Sequence, residues 1–135
     1  MDARNGLYVN VVFDCEDADR LARFWMEALD YVPYSPSSPI AGWRSIVPRD
    51  PIRGGPRVVF QVVADPKRGK NRLHLDLKAD DVEVEASRLS RLGATRLTNG
   101  TVHEHGHDWI VMQDPEGNEF CVDTWPERLR RTRAQ

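Results

Sequence analysis

The chain has 135 residues, a hydrophobic fraction of 40%, four tryptophans and a formal net charge of −2. That length suits one compact domain with a genuine core, and the apolar content excludes wholesale disorder. The slightly acidic balance argues against a dedicated nucleic-acid or membrane-surface binder, both of which need a basic field, and no apolar run approaches the length of a membrane span.

In chain order, "LYVNVVF" (7–13) is a β-branched and aromatic run and reads as a strand. Asp17 stands where an N-cap belongs, and Leu21, Phe24, Trp25, Ala28 and Leu29 recur at helical spacing behind it. A Pro- and Ser-rich stretch, "VPYSPSSPIAG", follows. Two further strands, "WRSIV" (43–47) and "RVVFQVV" (57–63), flank a Gly/Pro loop. After the linker "ADPKRGK" the order repeats: a strand "NRLHLDLKA" (71–79), then a helix opened by Asp81 and closed at Gly93. Three strands come last, in "ATRLTNGTV", "DWIVMQ" and "NEFCVD". The four residues "DPEG" ahead of the final one form a turn signature. The terminal "ERLRRTRAQ" reads as a solvated basic tail.

An offset of 64 residues places Asn10 on His74 and Asp17 on Asp81, so strand and helix cap align together. At the far end "FQV" matches "FCV" at an offset of 60, placing Gln61 on Cys121. A duplicated βαβββ unit is the simplest account: module 1 over about 7–64, module 2 over about 71–124, and a basic tail over 125–135. The two cysteines, Cys15 and Cys121, read as free thiols. The start, "MDARNGLYVNVVFDC", lacks the apolar core of an export signal, so the expected location is cytoplasmic.

Several residues invite chemistry. In "NRLHLDL", Leu73, Leu75 and Leu77 form an apolar face, while Arg72, His74 and Asp76 form the opposite one, with Asp76 placed to orient His74. A solvated sheet face bearing charges is the plain alternative. Gln61, a polar residue in an apolar run, calls for a hydrogen-bonding partner. Cys121 as a nucleophile activated by His74 ranks well below inert packing. His103, His105 and His107 alternate, but Gly106 sits among them, so a hairpin tip with solvated histidines is the better reading than a metal site. Trp25 belongs to the helix core. Trp43 and Trp109 fall on corresponding strands of the two modules, as pocket walls or as core.

Three stretches, "FDCEDADRLARFWMEALDY", "GKNRLHLDLKADDVE" and "DPEGNEFCVD", together resemble the vicinal oxygen chelate superfamily of glyoxalase I, bleomycin-resistance proteins and extradiol dioxygenases, in its actinobacterial glyoxalase-like branch. The resemblance implies an α+β fold of two tandem βαβββ modules, whose curled mixed sheets surround a concave pocket with the helices outside. Relatives close the pocket within one chain or across a dimer, and a homodimer is expected because curled open sheets leave edges and apolar faces that a partner can cover. The resemblance also implies a metal ligand on the first and last strand of each module. Carried over, those four positions are Asn10, Gln61, His74 and Cys121, with Glu119 able to substitute for Cys121. Two amides, one imidazole and one thiol depart from the family's His, Gln and Glu set, so a divalent metal such as zinc, iron, nickel or manganese is poorly provided for.

The expected function is therefore capture of a metabolite or drug-like ligand in the pocket, with Arg72, Asp76, Gln61, Trp43 and Trp109 as ligand contacts. The alternative is a metal-dependent lyase, isomerase or dioxygenase using His74, with Glu119 moving the proton. A vestigial module ranks third, because Arg72, His74, Asp76, Gln61 and Glu119 do not fill a concavity with apolar groups.

Overall fold

The computed structural model describes residues 6–34 and 40–126; part of the Pro/Ser-rich stretch and most of the basic tail lie outside them. The chain divides into two compact units, Met1–Pro66 and Lys67–Gln135.

In the first unit, β1 (Asn10–Cys15) leads into α1 (Ala18–Leu29), then β2 (Tyr31–Pro33), β3 (Trp43–Pro48), a 3-10 turn (Pro51–Arg53) and β4 (Arg57–Val62). The helix starts where Asp17 turns extended and its carboxylate accepts the Arg20 N–H. It stops at Asp30, which takes the left-handed conformation (φ 57°) while its N–H bonds Met26 O. The strands run in the order β1-β4-β3-β2, and β1 pairs with β4 in parallel because the helix returns the chain across one face. On that face the Phe13 ring stacks between Trp25 of α1 (centroids 5.5 Å) and Phe60 of β4 (5.4 Å). Trp25 is core, as its helical spacing predicts.

The second unit repeats the plan: β5 (Asp76–Ala79), α2 (Val82–Leu92), β6 (Thr95–Arg96), β7 (Val102–Glu104), β8 (His107–Gln113) and β9 (Glu119–Thr124), with β5-β9-β8-β6 as the sheet and β7 paired to β8. Asp81 caps α2 by accepting the Glu83 and Val84 N–H groups, and Gly93 (φ 123°) ends it. Val82, Ala86 and Leu89 of the helix are buried, as are Ile110, Met112, Phe120 and Val122 of the sheet. The "DPEGN" turn is closed by Asp114, a buried carboxylate that accepts the Glu116 and Asn118 N–H groups. A hairpin tip forms at His105 and Gly106, both at positive φ, as the glycine predicts.

Four elements differ from the sequence reading. The strand expected over 7–13 spans Asn10–Cys15 instead, and Leu7, Tyr8 and Val9 are exposed ahead of it. The short β2 lies at the head of the Pro/Ser-rich stretch. "ATRLTNGTV" splits into β6 and β7 rather than forming one strand. The strand expected over 71–79 begins only at Asp76, and Leu73 is exposed. The residues before it are drawn aside, since Asn71 bonds Glu119 through its N–H and Asn118 through its amide.

Candidate functional site

In each unit one sheet face packs on the helix and the other, here the far face, turns away from it. Side chains alternate between the two. The far face of the first sheet carries Asn10, Val12, Asp14, Arg57, Val59, Gln61, Trp43 and Ser45; that of the second carries Asp76, Lys78, Glu119, Cys121, Asp123, Trp109 and Val111.

The strand ladders fix how the two faces correspond. Asp14 pairs with Gln61, which pairs with Trp43; Lys78 pairs with Asp123, which pairs with Trp109. Asp14 and Lys78 both stand three residues before their helix caps, so the counterpart of Gln61 is Asp123 rather than Cys121. The counterpart of Cys121 is Val59. An alternating strand looks the same after a slip of two residues, and "FQV" against "FCV" could not reveal it.

Within the first unit, Asn10 and Gln61 do not meet. Asn10 pairs with Arg57 and Gln61 with Asp14, four rungs apart, or about 13 Å along the strand. The Gln61 amide donates to Asp14 over 2.6 Å, which supplies the partner its sequence context required.

Within the second unit, three donors converge. Asp76 and Cys121 are ladder partners, and His74 lies two residues before Asp76. The imidazole Nε2 is 3.2 Å from the Asp76 carboxylate, and the ligand atoms of His74, Asp76 and Cys121 all lie within 4.8 Å of one another. Two donors each about 2.0 Å from a tetrahedral zinc ion stand about 3.3 Å apart, so the His74–Asp76 spacing already fits, while the thiol needs a small inward shift. Imidazole, carboxylate and thiolate are a donor set for a thiophilic cation. Alone, the thiol is no nucleophile at neutral pH: burial, then the negative charges of Asp76 and Asp123, push it up to about 11.

Glu119 shares this face but is engaged. Burial pushes its carboxyl up, yet the Asn71 N–H and the Lys67 ammonium (3.0 Å) outweigh that and hold it below the usual carboxylate range. A carboxylate so held is a weak proton acceptor at neutral pH. Asp123, which sequence reasoning passed over, is paired to Lys78 (2.5 Å). Its other oxygen is buried without a hydrogen bond, 3.9 Å from the equally unmatched Nδ1 of His107. Its parity with Glu119 and Cys121 was the available signal. His103 instead pairs with Asp108 across the hairpin (2.5 Å), apart from His107. Arg72 is exposed and lies outside the strand. Trp43 is partly exposed on the first sheet, and Trp109 is half-buried on the second.

Residues 10–123 match the family model described as a glyoxalase-like domain. Solved structures share the fold at low identity. A glyoxalase/bleomycin resistance protein/dioxygenase family enzyme from Burkholderia phytofirmans PsJN has a TM-score of 0.67 at 19% identity, over 87% of this chain and 95% of that one. The fosfomycin resistance protein FosX from Mesorhizobium loti gives 0.66 at 16%, over 94% and 98%. A glyoxalase-related enzyme from Fulvimarina pelagi gives 0.67 at 16%, over 91% and 90%. No curated protein matches the chain. Among the described residues no helix is long and apolar enough to cross a membrane.

Proposed function

The chain belongs to the glyoxalase-like domain family, and from that premise we propose that it captures a small molecule on the far face of its second sheet, without the four-ligand metal set of its enzymatic relatives. The observation that carries this reading is the row His74, Asp76 and Cys121, continued by Lys78, Asp123 and Trp109 on the same face. Such a row offers directed donors and acceptors beside an aromatic wall, the composition small-molecule sites use. Asn10 and Gln61, the first-unit positions that the resemblance suggested as ligands, stand four rungs apart. A thermal-shift screen of a metabolite and drug library tests the proposal. Stabilising hits should lose their effect in His74→Ala and Asp76→Ala. Hits insensitive to both variants would contradict it.

A second reading, a metal-dependent lyase, isomerase or dioxygenase, is favoured by the same trio. His74, Asp76 and Cys121 would hold the cation, which when bound polarises a ligand oxygen. Asp76 would then bind the cation beside the imidazole rather than hydrogen-bond to it, because ligation takes up Nε2, and Trp109 would restrict water on that side. Elemental analysis of untagged protein separates the readings. Stoichiometric metal that is lost in His74→Ala supports the enzyme, and metal-free protein that takes up no added zinc, iron, nickel or manganese supports the binder.

A further inference from the structure

Arg57 opens β4, the strand flanked by β1 and β3, and its side chain lies on the far face of the first sheet. The guanidinium sits over the ring of Tyr34, 4.8 Å from the centroid. Tyr34 is tied in turn to β3 through its N–H to Ser45 O. An arginine held this way has given up freedom and part of its hydration, yet its Nε is buried with no hydrogen bond. Ser45 Oγ, on the same face of β3, is buried and unmatched as well.

Among the described residues no carboxylate lies within ion-pair distance of Arg57, while the other half-buried arginines each have one: Arg44 with Asp19, Arg88 with Glu85, Arg96 with Glu83. The corresponding position in the second unit sharpens the contrast. Glu119 opens β9 as Arg57 opens β4, and its charge is met by Lys67 and by the Asn71 N–H. A half-buried charge left without a counter-ion is costly, and a ligand that supplies the missing acceptor removes the cost.

We propose that Arg57, Ser45 and Tyr34 form a subsite for an oxyanion group, a carboxylate or a phosphate, of a small molecule. Nε and one Nη of the guanidinium meet two oxygens side by side, the fork geometry that suits either group. The Tyr34 ring holds the plane of the fork, and the Ser45 hydroxyl is a further donor on the same face. The subsite takes its purpose from the small-molecule reading, but it lies on the other sheet and stands or falls separately.

The test is a titration of the full chain with inorganic phosphate and, separately, benzoate, following by NMR the backbone amides of 44–46 and 57–59 in wild type, Arg57→Gln and Arg57→Lys, and in wild type the Arg57 Hε–Nε resonance as well. Wild type should show a saturable shift that Arg57→Gln abolishes. Arg57→Lys, which keeps the charge and loses the fork, should bind at least about tenfold more weakly. Saturation by benzoate alone assigns a carboxylate, and by phosphate alone a phosphate. A shift that never saturates and merely follows exposed arginines such as Arg20 would overturn the subsite. So would unchanged affinity in Arg57→Gln or, should that variant fail to fold, in Arg57→Lys. Ligand capture around His74 is read independently, from the amides of 119–124 in the same spectra.

Discussion

The two units share one plan and differ in what their far faces present. At matching rungs the first sheet sets Val12, Val59 and Ser45 where the second sets Asp76, Cys121 and Val111, and Arg57 stands where the second has Glu119. The helix-facing sides are conserved in kind, with Phe60 matching Val122 and Val58 matching Phe120, all of them buried. What the contrast teaches is that packing constrains one face of each sheet while the other is free to diverge. One far face carries Arg57, with no ion pair among the described residues, beside Asp14 and two amides; the other carries three carboxylates, Lys78, an imidazole and a thiol.

The largest expected effect strikes the shared face. Phe60→Ala and Phe120→Ala should each destabilise by about 3–5 kcal/mol in urea unfolding. The Phe60 loss should be smaller by about 1 kcal/mol in a Phe13→Ala background than in wild type, where it also breaks the ring stack with Phe13. Equal losses would mean that the stack adds nothing beyond burial.

The second prediction concerns the thiol. With its pKa raised from 9.0 to about 11, Cys121 should alkylate about 100-fold more slowly in the folded protein than in urea at pH 8, each unit being tenfold in thiolate. Burial slows it further, and Asp76→Asn, which removes the nearest negative charge, should recover part of the rate. A fast folded-state reaction at pH 8 would show a thiolate that the local field does not explain.

The helix caps compare the units directly. Asp17→Ala and Asp81→Ala should each cost about 1 kcal/mol, because each carboxylate accepts N–H groups in the first turn of its helix. Thermal unfolding of the two variants checks both.

The smallest effect is in acid. The Glu119 pKa is depressed in the folded state, so the stability it contributes is present above its unfolded value and is lost as pH falls through the folded one. Glu119→Gln should therefore flatten the stability profile below about pH 4.5 and leave the profile near pH 7 with the same slope. Denaturant midpoints measured across that range decide it.

Much of this fold was legible in the sequence, because caps and periodicity are local. Asp17, Asp81 and Gly93 bound two amphipathic helices, Gly106 marks a hairpin, and the repeat of strand and cap exposes the duplication. The convergence of His74 and Asp76 followed from their spacing on one face. The rest was not local. A period-two pattern leaves the register of β4 against β9 open, so Gln61 was matched to Cys121 instead of Asp123. The late start of β5 depends on Asn71 reaching Glu119 and Asn118, 48 and 47 residues away. Lys67, in what reads as linker, supplies the counter-ion to Glu119. That Arg57 has no counter-ion among the described residues is a property of three dimensions and has no signature in "GGPRVVF".

Under the proposed function, ligand capture belongs to the far face of the second sheet. The most direct test is to take a stabilising compound from the library screen and map its ¹⁵N–¹H shift changes onto the chain. Capture on that face gives saturable changes concentrated at 74–78, 107–111 and 119–124, abolished by Asp76→Ala. Changes concentrated on α2, or undiminished in that variant, would contradict it.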